Sequence, residues 1–248
     1  MSDYFRTVGF TLERTELESL LHRALDGGTL IEAPHGDYRV WTPGAGAELW
    51  VNLYRLGDNR RELAGASPHF RSEARMHAVV EALEPNAEFA LEGEIYAWAS
   101  PDGAEHGLYP FSASIPDFDS ALASREVPFN AVLALCGFAH ELTWWPDEAA
   151  YRAALEREPT GFAATSFVPL GLFGQNTGRA RSQGLVSGTI VAGETRINPA
   201  TERAFHRLRL ETYGGEIDIL CAPDIVHGNP PVGGVARATC WLTARIIE

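Results

Sequence analysis

The sequence predicts a mainly β, α+β protein, built from antiparallel sheets or OB-like, partly open barrel halves with about three peripheral helices. Three observations carry that expectation. Most of the chain divides into short β-compatible runs punctuated by Gly, Pro and Asn turns. Helical periodicity is confined to the first two-thirds. Near the C-terminus, "ARATCWLTARI" alternates over a long run, with Ala236, Ala238, Cys240, Leu242 and Ala244 opposite Arg237, Thr239, Trp241, Thr243 and Arg245.

The first element is a helix, "TELESLLHRALDGG". Leu17, Leu20, Leu21 and Ala24 share a face, Thr15 and Glu18 have capping-box spacing, and Gly27 and Gly28 stop it. A hairpin follows, "DYRVW" and "AELWVNLYR", turning at Pro43 and Gly44. "RSEARMHAVVEALEPN" reads as a second helix, with Met76, Val79, Val80 and Leu83 as its stripe and Pro85 as its end. Next come the strands "EFALEGEIYAW" and "GLYPFSASI", around the turn-rich "SPDGAEHG". "NAVLALCGFAHELTWW" reads as a long strand with Phe138, His140, Leu142 and Trp144 on one face, or as a buried helix. A third helix, "PDEAAYRAALERE", starts after Pro146 with Asp147 as N-cap. The remainder, from "GFAATSFVPL" through "LVSGTIVAGETRIN", "AFHRLRLETY" and "GEIDILCA" to the alternating run, reads as strand. Two closely packed lobes are expected, 1–145 an α+β lobe and 146–248 mainly β.

An internal echo runs through both halves. With Gly93 set on Gly188, Leu91 falls on Val186, Ile95 on Ile190 and Ala97 on Ala192. The segments 89–115 and 184–212 then each read as an apolar strand with a glycine at a bend, a turn and a return strand. The polar positions differ, so a unit used twice would be used as scaffold.

Composition narrows the function classes. Acidic residues outnumber basic ones, 33 to 20, for a formal charge of −13. Such a field repels phosphate backbones, so no nucleic-acid partner is expected. All 20 basic residues are Arg, which removes any mechanism that needs a lysine and is the usage expected of a GC-rich bacterial genome. Cys136, Cys221 and Cys240 sit far apart in apolar runs, the pattern of buried thiols rather than of a disulfide frame or zinc site. The start "MSDYFRTVGF" lacks a basic region followed by an apolar one, and no run is long enough to span a bilayer. A cytoplasmic protein with no membrane partner, no metal and no cofactor is the expectation.

Catalytic signatures are sparse. "AHEL" begins like a zincin helix, but Trp144 stands where the second His is needed. On a strand His140 and Glu141 face opposite ways. Glu92 and Glu94 share a strand face and suit acid/base work or cation binding; Asp117 and Asp119 do so if "IPDFDS" is extended. Ser67 and His69 are also two apart, with no orienting acid placed by the sequence. The adjacent pair Trp144 and Trp145 demands cover on both faces of a strand, from a helix, a subunit or a ligand. Trp41, Trp50, Trp144 and Trp145 are therefore the candidate ligand contacts, and His69, Glu92, Glu94, His140 and Glu141 the candidate catalytic groups. The favoured function is a non-catalytic binding or protein-interaction module, possible homodimer included, whose partner is a small molecule or a protein. The alternative is a cofactor-independent, hydrolase-like enzyme acting on a small polar or sugar-like substrate, which requires several of the candidate groups to meet in one pocket.

Overall fold

The computed structural model describes residues 3–11, 13–56, 60–100, 107–156, 161–170 and 182–247. A 3-10 turn, Asp3–Val8, precedes helix α1, Arg14–Gly27. Strands β1 (Thr29–Ala33), β2 (Gly36–Gly44), β3 (Ala47–Arg55) and β4 (Arg61–Phe70) form an antiparallel sheet in sequence order. A mixed, nearly closed nine-stranded sheet takes the rest: β5 (Met76–Pro85), β6 (Gly93–Ala99), β7 (Pro110–Ile115), β8 (Phe129–Trp145), β9 (Ser166–Leu170), β10 (Gln183–Asn198), β11 (Arg203–Thr212), β12 (Gly215–Cys221) and β13 (Val235–Ile246). Helices α2 (Phe118–Leu122) and α3 (Glu148–Leu155) flank β8 in the chain. The mainly β expectation, with antiparallel sheets and barrel-like curvature, holds.

Pairing in the large sheet follows two circuits that share β8 and β13. One runs β8, β5, β6, β7, β13; the other runs β13, β10, β11, β12, β8. Each circuit is an antiparallel meander of three strands whose last member lies parallel to the far strand of the shared pair, β7 along β13 and β12 along β8. The units β5–β8 and β10–β13 therefore match strand for strand in order and direction of pairing. The sequence echo is out of step with this repeat: it sets β6–β7 on β10–β11, whereas β6 is equivalent to β11. Its glycines nonetheless have separate structural reasons. A Cβ on Gly93 would sit 2.6 Å from the Phe118 ring, and one on Gly188 would sit 2.6 Å from the Glu211 carbonyl oxygen.

Alternation divides inside from outside. Met76, Ala78 and Val80, then Ile95, Ala97 and Ala99, and Ala236, Ala238, Cys240, Leu242 and Ala244 all point into the barrel core. All three cysteines are buried and free. The segment 71–86, expected as a helix, is a correction: Met76, Val79, Val80 and Leu83 fit a helical stripe, but pairing with β6 and β8 selects period two. Asp117 and Asp119 are a second correction, because "PDFD" leads into α2 and is not extended. The β2–β3 turn lies at Ala45 and Gly46, both with positive φ, two residues beyond the expected Pro43 and Gly44. Of the strand expected over "EFALEGEIYAW", the part that forms is within Gly93–Ala99, while the return strand forms as Pro110–Ile115.

The register of β8 against β13 shifts at His140, which is skipped between Ala139 and Glu141. The shift exchanges faces along the strand. Phe138 lies outside the barrel in the inter-sheet cluster, while Leu142 and Trp144 pack against the barrel core. Phe138 and Trp144 are thus not on one face, contrary to strict alternation. The tryptophan pair finds its two covers within the chain. Trp145 meets Tyr151 of α3 edge-on at 4.8 Å, and Trp144 Nε1 donates to the His227 carbonyl.

The small sheet lies between α1 and the outer wall of the barrel. Leu20 and Ala24 of α1 and Phe5, Val8 and Phe10 pack with Leu49, Val51 and Leu53, joined by Phe138, Phe205 and Leu220 from the barrel. The residues that alternate with these, Glu48, Trp50 and Asn52, share the other face of β3 with Tyr38, Val40, Ser67 and His69. Leu91 seals that face against Tyr38 and Trp50.

Candidate functional site

A cleft of about 380 Å³ opens where the small sheet leaves the barrel wall. β3 and β4 supply Asn52, Ser67 and His69 from above. The barrel supplies Glu84, Glu92, Gly93, Glu94 and Ser114 from the β5–β6–β7 meander, with Asn86 just beyond β5 and Trp241 from β13. The outward face of β6 reaches this cleft because Gly93, Ile95 and Ala97 occupy its inner face.

Three of the five catalytic candidates, His69, Glu92 and Glu94, line this one cleft. The other two do not. His140 is exposed at the bulge, and Glu141 accepts from Thr239 Oγ1 (3.3 Å) at a separate surface depression with Arg237. The tryptophan candidates are placed elsewhere too. Trp50 is wholly buried beside Tyr38 and His69, and Trp41 lies under the Arg23 guanidinium in the α1 cluster. Trp144 and Trp145 are covered as described above. Among the cleft-lining residues the tryptophan is Trp241, whose signal was a large aromatic on the polar side of an alternating strand.

Trp241 is fixed on several sides. Its Nε1 donates to Ser114 Oγ (3.0 Å), Tyr4 stacks on it at 4.9 Å, and Phe138 and His69 tilt against it at 5.2 and 5.7 Å. His69, only 4% exposed, is boxed by Trp50, Phe138 and Trp241. Burial, helped by the nearby Arg245 charge, pushes its imidazole down to about 3, so the ring is neutral at physiological pH. Its Nε2 lies 3.1 Å from Ser67 Oγ, as two same-face residues of one strand allow, while its Nδ1 is buried without a hydrogen-bond partner. A Ser–His pair is present, but no carboxylate orients the imidazole, so a Ser–His–Asp relay is not assembled.

Glu92 accepts from Asn52 Nδ2 (3.0 Å) and Asn86 Nδ2 (3.5 Å). Burial raises its pKa, and the two amides only partly offset that rise. Glu94 accepts from Ser112 Oγ (3.3 Å) and stands directly across from Glu84 in the β5–β6 ladder. Burial raises its pKa as well, neighbouring serines Ser182 and Ser112 pull it back, and the Glu84 charge adds to the rise. No Arg lines the cleft among the described residues, and no group of three or more His, Cys, Asp or Glu among them is placed to hold a metal ion.

The cleft thus presents two desolvated carboxylates, amide and hydroxyl groups, and an anchored indole edge. No family model, curated protein or solved structure matches this chain. What the site can do rests on its own chemistry.

Proposed function

We propose that the protein binds a small polar molecule in the cleft between the small sheet and the barrel. Glu92 and Glu94 act as the principal hydrogen-bond acceptors, with Asn52, Asn86, Ser67 and Ser114 around them. The observation that carries this reading is convergence: His69, Glu92, Glu94 and Trp241, spread over more than half the chain, line one concavity. Its volume suits a molecule of a few to about a dozen heavy atoms. A thermal-shift screen of small polyols, amines and acids tests it. Hits whose shift disappears in Glu92→Gln/Glu94→Gln support the reading; hits indifferent to that variant contradict it.

A second reading, acid/base hydrolysis, is favoured by one specific observation. Two carboxyls with raised pKa share the cleft, the condition under which one can hold a proton that it later donates. Turnover of a glycoside or ester substrate that Glu92→Gln or Glu94→Gln abolishes would favour catalysis. Binding with no turnover favours the binding module.

A further inference from the structure

Glu92 and Glu94 stand apart from the buried acids of this protein. The described residues include four acids in the buried class: Asp37, Glu48, Asp119 and Asp218. Asp37 pairs with Arg55 and Arg61, Glu48 with Arg71 and Arg245, and Asp218 with Arg207 and Arg209. Asp119 accepts from the His35 backbone N–H (2.7 Å) and contacts its Nδ1 (2.8 Å). Each of these four buried carboxylates is met by a basic side chain. Among the described residues the half-buried cleft carboxylates are met by amides and hydroxyls, and a third carboxylate, Glu84, lies opposite one of them.

That omission occurs at a cavity rather than in packed interior. The cavity is also lined by His69, a polar side chain 96% buried by difference from its 4% exposure, with a ring nitrogen that has no partner. From these observations together we infer that the cleft's ligand carries a positive charge: a small, hydroxyl-bearing primary ammonium compound whose N–H groups fill the place that arginine fills at the other acids. The inference rests on the reading of the cleft as a small-molecule site. An ammonium group offers three donors, enough to engage both carboxylates at once. Hydroxyls on the same molecule match Asn52, Asn86, Ser67 and Ser114. Anionic ligands are repelled by the same three carboxylates.

A matched series isolates the charge. The 15N-labelled protein is titrated near neutral pH and at constant ionic strength with glucamine, sorbitol and gluconate, which share a hydroxylated chain and differ at its end. The Trp241 indole N–H and the Asn52 and Asn86 side-chain amides are the reporters. Expected is saturable movement of these signals with glucamine at an affinity about tenfold tighter than sorbitol's, no response to gluconate, and loss of the advantage in Glu92→Gln/Glu94→Gln. Equal affinities for glucamine and sorbitol overturn the charge assignment and leave the cleft reading standing. Preference for gluconate overturns the charge assignment likewise. Silence of all three reporters toward all three compounds overturns both.

Discussion

Two sets of acids in this molecule are solved in opposite ways. Asp37, wholly buried in the small sheet, feels burial as an upward push on its carboxyl, yet Arg55 and Arg61 together outweigh it and hold the group below the ordinary carboxylate range. Asp218, equally buried on the barrel wall, takes Ser72, Arg207 and Arg209. Glu48, at 1% exposure, joins Trp50 of its own strand with Arg71 and with Arg245 of the barrel, and so ties the two sheets together. Glu92 and Glu94 receive neutral donors among the described residues, Asn52 and Asn86 for one and Ser112 for the other. The lesson is that incomplete compensation here is local. It coincides with a cleft between the sheets that leaves room for a ligand instead of closing into packed core.

The largest expected effect comes from breaking a compensated site. Asp218→Ala leaves Arg207 desolvated with one partner fewer, and denaturant unfolding is expected to show a loss of about 3–5 kcal/mol. A loss under about 1 kcal/mol would mean that the arginines are solvated without it. Next is the pH response of His69. Its folded pKa lies near 3, below the ordinary 6.5, so its contribution to stability is present above about 6.5 and falls away as pH drops toward 3. Each unit of that interval is worth about 1.4 kcal/mol at most. His69→Gln is expected to flatten the acid limb of the stability–pH curve, and an unchanged limb would contradict a buried neutral ring.

Smaller and opposite in sign is Glu92→Gln/Glu94→Gln. Folded pKa values above the unfolded ones give stability below the unfolded pKa that is lost as pH rises through the folded pKa. Removing both charges is therefore expected to leave stability unchanged or raise it by up to about 1 kcal/mol at neutral pH, with the gain vanishing in acid. Loss of stability at neutral pH would place these carboxylates with the compensated acids. Smallest is Asn52→Ala, which removes one neutral donor from Glu92. Its expected outcome is a further rise in the Glu92 pKa with a stability change of about 1 kcal/mol or less, read by NMR titration and unfolding.

Much of this was legible in the sequence, for reasons that also mark the limit. Same-face spacing put Glu92 with Glu94 and Ser67 with His69, because a strand's period of two is local. The clean alternation of β13 separated Trp241 from the core residues. What brings these pieces together is long-range pairing: β13 joins β7 and β8 across sequence separations that start at 90 residues (Val235 with Trp145), and no local pattern encodes that. The same non-locality misleads at β5, where Ala, Glu and Leu favour helix and the stripe fits either period, so the partners β6 and β8 decide. His140 misleads in another way: one unpaired residue flips every later side chain in β8. The tryptophan pair, by contrast, correctly demanded a cover, and α3 supplies it for Trp145.

The central claim is that the cleft carboxylates are desolvated with no cation of their own among the described residues. Titration of the glutamate carboxyl 13C signals, with Glu92 and Glu94 assigned from their Gln variants, tests it most directly. Both are predicted to titrate above the ordinary glutamate value near 4.5 in the free protein, and to fall toward it when glucamine is added. Values at or below the ordinary one in the free protein would show that the two acids are already compensated, and would contradict the account.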